Sequence, residues 1–223
     1  MAERTSTTLR FAMLLTAANG FLDAYTFITR DGVFANVQTG NVILLAIELS
    51  QGHWPNTLAH LWPILAFLLG VLLSAHIQSG RAHKLVSHPL RWTMGFQAVA
   101  FAIVGFVPTT VPNGFVTIPI SFLAAMQFTL FRNIGDLTYI AVATTGNLMR
   151  FVEAAYSVLV DKAEAARLAF RVYGILIVTF AGGAVIGAFA TRLWGVRGVW
   201  LAAALLAVTL VFFIIDEREG KEP

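Results

Sequence analysis

An all-α, polytopic membrane protein is predicted for this chain, on three observations. Hydrophobic residues make up 57% of the 223 and charged residues only 12%, where soluble domains carry roughly a quarter charged. The apolar residues gather into eight stretches, most of them near the roughly 20 residues that cross a bilayer. Two of those stretches carry the same tripeptide, Thr39-Gly40-Asn41 and Thr145-Gly146-Asn147, which reads as a helix breaker with polar caps. A backbone that breaks inside lipid leaves amides without partners, which is tolerated only where protein or a water-filled cavity lines the break. The pair therefore marks the expected working centre.

The eight stretches are residues 9–28, 34–49, 61–77, 92–107, 115–131, 139–160, 172–193 and 199–215. Residues 1–20 resemble a secretory signal, with basic residues ahead of an apolar run, but the run continues to Ile28, which fits a first crossing better than a cleaved leader. The second and sixth stretches are studded with Gln38, Asn41 and Glu48, and with Asn147, Arg150 and Glu153. From Asn41 to Ser50 a helix rises only about 15 Å, half the hydrocarbon thickness, and from Asn147 to Val160 about 21 Å. Both are expected to be half-helices that dip in and return.

Charge placement tests this reading. If all eight stretches cross, the basic residues divide evenly, seven (Arg4, Arg10, Lys162, Arg167, Arg171, Arg218, Lys221) against seven (Arg30, Arg81, Lys84, Arg91, Arg132, Arg192, Arg197). If the two Thr-Gly-Asn stretches return to their own side, the inner side holds eleven and the outer side three, with Arg150 inside its own segment. The positive-inside rule selects six crossings with both termini in the cytoplasm.

The order crossing, Thr-Gly-Asn segment, crossing, crossing occurs twice, at about 9–108 and 115–215, with 216–223 expected as a disordered tail. Three crossings per half place the second copy upside down, an arrangement known from transporters with a midplane site. A small-residue ladder recurs as well, Gly70 with Ser74 and Gly183 with Gly187, spaced to let helix backbones approach. The run Gly182-Gly183 to Gly187 lacks the Lys-Ser/Thr end of a phosphate loop, so packing is its expected use.

The motifs Gly20-Phe21-Leu22-Asp23-Ala24, Gly32 through Asn41, Met126-Gln127 and Thr145-Gly146-Asn147-Leu148 resemble those of the bacterial YoaK-type membrane proteins, a family of unestablished function. The likeness covers most of the chain and departs in the second half, where Phe128 stands in place of an expected Asn and a single Arg132 in place of a basic pair. It implies a membrane location and a span pattern, and no substrate.

Candidate site residues follow from polar side chains on apolar helices. Thr16, Asn19, Asp23 and Thr26 recur at helical spacing and share one face. A carboxylate at membrane depth costs at least about 2.5–3.5 kcal/mol, so Asp23 needs a partner, a proton or water. It reads either as a proton or cation site or as an interfacial cap. Gln38 and Asn41 also share a face, with Glu48 at the shallow, solvated end. Thr39, Gly40 and Asn41 can cap a helix start, and can equally hold a ligand there, because helix N-termini attract anionic groups. In the second half Thr145, Gly146 and Asn147 repeat that arrangement. Arg150 and Glu153, three apart, are expected to pair; turned to a cavity instead, Arg150 would fork onto an anionic solute. Gln127 in the fifth stretch serves as helix glue or as a solute contact.

The five histidines (His53, His60, His76, His83, His88) fall in joints or at stretch ends without metal-ligand spacing, and the sequence is cysteine-free. No metal, cofactor or disulfide is expected. Ser74 and His76 point different ways two residues apart on a helix, so no catalytic pair is read and an enzyme is not expected. Trp54, Trp62, Trp92 and Trp194 near stretch ends read as interfacial anchors. The formal charge of +3 sits at segment ends, as in membrane proteins, so nucleic acid is not an expected partner.

The expectation is a single integral domain over residues 1–223 in the bacterial inner membrane, a small-solute transporter or channel. Its expected site is Asn19, Asp23, Gln38, Thr39, Gly40, Asn41, Gln127, Thr145, Gly146, Asn147 and Arg150. Its expected partners are the lipid bilayer, a small solute and a second copy of the chain. The rival expectation is a non-transporting membrane partner or assembly protein.

Overall fold

The computed structural model of the chain describes residues 8–79, 89–131, 133–134, 136–139, 141 and 144–219. Arg4, Arg81, Lys84, Arg132, Lys221, His83 and His88, used in the charge and histidine readings above, lie outside the described residues. Each apolar stretch is a helix: α1 (Leu9–Thr29), α2 (Gln38–Ser50), α3 (Trp54–Gln78), α4 (Pro89–Val104), α5 (Gly114–Leu130), α6 (Thr144–Leu159), α7 (Ala166–Trp194) and α8 (Val199–Glu219). A two-residue hairpin, β1 (Asn133–Ile134) antiparallel to β2 (Leu137–Thr138), stands between α5 and α6.

Three stretches are long and apolar enough to cross a membrane: Leu9–Thr29, Trp54–Gln78, and Ala166–Ile215, which runs through α7, the 3-10 turn Gly195–Gly198 and α8. The helices Leu90–Val104 and Gly114–Leu130 are apolar but shorter. Around a buried apolar core, the helices expose large apolar side chains and bury polar ones. Leu72, Val178 and Leu193 are about as exposed as surface residues can be in a helix, while Thr16, Asn19, Thr26, Asn41, Gln97 and Ser121 are fully buried. Only a lipid surround makes that distribution stable, because apolar side chains gain nothing by leaving hydrocarbon. Trp54, Trp62, Trp92 and Trp194 are exposed, as interfacial anchors must be.

The helices pack in pairs: α1 along α7, α3 along α5, α4 along α8, with α2 on α3 and α6 on α7. The α1–α7 seam is closed by glycine. A side chain at Gly183 would strike the carbonyl of Ala17, one at Gly187 would lie 2.6 Å from that of Phe21, and one at Gly20 would strike that of Phe180. Residue numbers rise together along this seam, so α1 and α7 run parallel. Along α3 and α5, Gly70 meets Phe122, Ser121 Oγ donates to the Pro63 carbonyl (2.6 Å) and Gln78 Nε2 donates to that of Thr129 (2.8 Å), so this pair is parallel too. In α4 and α8 the order reverses: Trp200 Nε1 donates to Ala102 O (3.0 Å) and Gly95 faces Leu210, so they are antiparallel. The predicted ladders are therefore helix seams, and the Gly182–Gly187 run lies inside α7.

Three expectations need correction. Thr39-Gly40-Asn41 does not interrupt a helix; it occupies the first turn of α2, after an interruption at 30–37. Thr145-Gly146-Asn147 likewise lies in the first turn of α6. Val37 is the residue before α2, and no side chain caps that end. Gly40 is tolerated there because the Phe34 ring packs where its side chain would be. The helix α8 runs on to Glu219, so residues 216–219 are helical rather than tail, and 220–223 lie outside the described residues. α3 starts at Trp54, so His60, read at a stretch end, lies inside that helix and is buried.

Candidate functional site

The polar stripe of α1 is buried, with Thr16, Asn19 and Thr26 inaccessible and Asp23 5% exposed. Regular spacing puts the four on one face, and the non-helical segment 33–37 folds back over that face. Its backbone finds its hydrogen-bond partners in side chains. The Ala35 amide donates to Thr26 Oγ1 (3.2 Å) and the Asn36 amide to Asp23 Oδ1 (3.2 Å). Asn36 Nδ2 donates to the Asn19 carbonyl (3.2 Å). A break in the chain that is buried in protein needs such partners, because an unpaired peptide group there is costly.

Asn41 does for Phe34 what a neighbouring strand would. The Phe34 amide donates to Asn41 Oδ1 (3.1 Å) and Asn41 Nδ2 donates to the Phe34 carbonyl (2.6 Å). Asn41 Nδ2 also donates to Gln38 Oε1 (3.0 Å), and His60 Nδ1 stands 3.5 Å from Asn41 Oδ1. The network then crosses between the two halves of the sequence. Asn19 Nδ2 donates to Gln127 Oε1 (2.9 Å), and Gln38 Nε2 donates to Ser121 Oγ (2.8 Å), both on α5. Asn19, Asp23, Gln38, Asn41 and Gln127 thus form one connected cluster around the middle of α1, buried but for the half-buried Gln38. A groove of 360 Å³ lies beside Asp23, lined by Ala24, Phe27, Phe34, Val37 and Phe180.

The rest of the predicted set sits elsewhere. Thr39 and Thr145 are exposed, Gly40 and Gly146 partly so, and Asn147 is buried at the start of α6. Arg150 does not pair with Glu153. Its Nη1 donates to the Thr138 carbonyl (2.7 Å) and its guanidinium lies 5.9 Å from the Tyr173 ring centre, while the Tyr173 hydroxyl donates to the same carbonyl (2.9 Å). A carbonyl and an aromatic face together outcompete a solvated ion pair three residues away. Glu48 lies at the solvent end of α2, away from the cluster. Hydrogen bonds from Asn56 and His53 hold its carboxyl below the usual range.

Three buried residues escaped the sequence reading. Arg30 was placed in an exposed joint but is fully buried, with Nη1 and Nη2 donating to the Pro108 and Val107 carbonyls (3.1 and 2.8 Å). Asn36 carries two bonds of the cluster although only the family motif drew attention to it. Ser121, one hydroxyl in an apolar helix, couples Gln38 to α3.

An all-α chain with polar side chains buried, large apolar side chains exposed along its helices and helices able to cross a bilayer is a membrane protein. It belongs to DUF1275, a family of proteins of unknown function, whose profile matches residues 11–212. The YoaK-type likeness agrees with that membership. No curated protein and no solved structure matches the chain.

Proposed function

We propose that this protein moves a small solute across the bacterial inner membrane, as a transporter or channel built from two inverted repeats. In this reading α1, α3, α4, α5, α7 and α8 cross, while α2 and α6 enter and return. The packing supports it, because exchanging the halves turns each helix pair into another: α1 with α7 becomes α5 with α3, α2 on α3 becomes α6 on α7, and α4 with α8 becomes itself. The ends of the helices support it as well. Asn113 Nδ2 donates to Asp31 Oδ2 (2.8 Å), and Arg30 reaches Pro108, so the chain is on the same side after α1 and before α5. Two crossings between those points achieve this, whereas three would not.

The observation that carries the functional reading is the buried polar cluster linking the halves, with unpartnered side-chain atoms on Asn19, Asp23 and Gln127. Unpaired polar atoms in a membrane interior are costly, and mark ion and solute paths where they persist. Asp23 couples protons or cations in this reading, and Asn41 holds the broken segment 33–37 beside it. The protein is not an enzyme in this reading, and its termini are cytoplasmic.

Two experiments test this. Single cysteines introduced at positions 31, 51, 86 and 164 are expected to label from the periplasm at 31 and 51 and from the cytoplasm at 86 and 164; labelling of 51 from the cytoplasm would make α2 a full crossing. Reconstituted protein is expected to take up a small solute under an imposed cation or proton gradient, with Asp23→Asn losing gradient-driven uptake. A protein that moves no solute from a broad panel would favour the assembly-partner reading.

A further inference from the structure

Three oxygens of the buried cluster accept from no donor: Asn19 Oδ1, Asp23 Oδ2 and Asn36 Oδ1. Their side chains are 0, 5 and 2% exposed. The amide orientations are fixed by chemistry. Asn19 Nδ2 faces the Leu15 carbonyl at 2.7 Å and Asn36 Nδ2 faces the Asn19 carbonyl at 3.2 Å. A carbonyl only accepts, so the facing atom of each amide must be nitrogen and the remaining one oxygen.

The three side chains are neighbours. Asn19 and Asp23 lie one turn apart on the same face of α1. Asn36 bridges them, its amide on Asp23 Oδ1 and its side chain on the Asn19 backbone. The Val37 amide also approaches the carboxylate, yet Oδ2 keeps no hydrogen bond. Gln127 Oε1 is taken by Asn19 Nδ2, so α5 adds no oxygen. Thr16 Oγ1, a turn earlier on α1, is a fourth buried oxygen without a partner.

We propose that Asn19, Asp23 and Asn36 form a binding site for a single dehydrated alkali cation of sodium's class. Hard cations take oxygen ligands, and one carboxylate balances one positive charge. A proton on Asp23 Oδ2 would let that oxygen donate to one amide oxygen and would leave the other bare, whereas one cation can be shared by all three. A divalent ion would leave an uncompensated charge in the membrane interior. The ion would also fasten segment 33–37 onto α1, and Asn41 holds that same segment from the α2 side, so ion occupancy and the start of the half-helix share one piece of backbone. This rests on Asp23 being the coupling residue of the proposed function and names the ion it takes.

The test is equilibrium binding of radioactive sodium to the purified full chain in lipid nanodiscs, with no solute and no gradient. Saturable binding is expected, displaced by lithium and not by choline. Asp23→Asn and Asn36→Ala are expected to weaken it by about tenfold or more, while Gln51→Ala, at the exposed end of α2, binds as the parent does. Absence of saturable binding in the parent, or undiminished affinity in Asp23→Asn, overturns the proposal. Should Asp23→Asn not fold, the unfolding midpoint decides: sodium chloride raises it over choline chloride in the parent and not in Asn36→Ala, and equal midpoints in the parent overturn the site. Sodium binding without solute uptake would leave the site standing and remove transport; sodium-independent uptake without binding would do the reverse.

Discussion

Gly183→Leu is expected to yield no folded protein, while Gly182→Leu, one residue away, is expected to fold as the parent does. The two glycines share a sequence context and differ in what their side chains would meet. A Cβ at Gly182 has nothing within 4 Å, whereas one at Gly183 collides with the backbone carbonyl of Ala17 on α1. The obstacle is backbone, so no rotamer change relieves it, and α1 and α7 would have to part along their whole parallel contact. That contact carries much of the fold: α1 is the central helix, with 67% of its span buried, against 28% for α3. In lipid, helices associate by close packing and hydrogen bonding rather than by escaping water, so a seam forced open has little to replace what it loses. Overpacking in ordinary cores costs about 1–3 kcal/mol, and Gly183→Ala is expected at or above the top of that range. Gly182→Ala is expected to be neutral or to gain up to about 1 kcal/mol from helix propensity. Size-exclusion profiles and thermal unfolding in detergent read both pairs. Equal behaviour of the substitutions at 182 and 183 would mean that α1 and α7 do not meet at this seam.

The seam was legible in advance because small residues four apart have one common use in a membrane helix. The eight helices were legible for a similar reason, since apolar runs of this length leave few alternatives. What local rules misplaced was the break. Thr-Gly-Asn reads as a helix breaker because glycine weakens helices and Asn caps them. Here the Phe34 ring covers Gly40, and the Asn41 carboxamide is spent on the Phe34 backbone seven residues earlier. The interruption falls instead on 30–37: Arg30-Asp31-Gly32 already marked a joint between two stretches, and what gave no sign was its extension through 34–37.

The candidate site divides along the same line. Asn19, Asp23, Gln38, Asn41 and Gln127 stood out as polar groups on apolar helices, and they form one cluster. Arg30 did not stand out, because a basic residue between two apolar stretches reads as solvated until the α4–α5 connection is seen to fold over it. Arg150 was assigned a partner by its spacing from Glu153. Its actual partners, Thr138 and Tyr173, are brought to it by the hairpin and by α7, which no helical periodicity encodes.

Asn41→Leu is expected to release segment 33–37 from α2 and to abolish the proposed solute movement while leaving the helix bundle assembled. Leucine matches asparagine in heavy-atom count and branching but offers neither donor nor acceptor. The substitution strips partners from the Phe34 amide, the Phe34 carbonyl and Gln38 Oε1. Each buried polar group left unpaired costs about 1–3 kcal/mol, so the local loss is on the order of 3 kcal/mol or more. The helix seams are untouched, because Asn41 takes no part in the α1–α7 or α3–α5 contacts. Asn41→Asp tests the geometry more sharply. Its carboxylate can still accept from Phe34 N–H, but it sets negative oxygen against the Phe34 carbonyl and Gln38 Oε1, where the parent donates. Asp is therefore expected to fail nearly as badly as Leu. Thr39→Ala, on an exposed side chain two residues earlier, is expected to stay within about 0.5 kcal/mol of the parent. Hydrogen exchange at residues 34–36 is the direct readout: protected amides in the parent and in Thr39→Ala, fast exchange in Asn41→Leu and Asn41→Asp. Full protection of Phe34 in Asn41→Leu would show that something other than this carboxamide holds the broken segment, and the site would have to be rebuilt around that group.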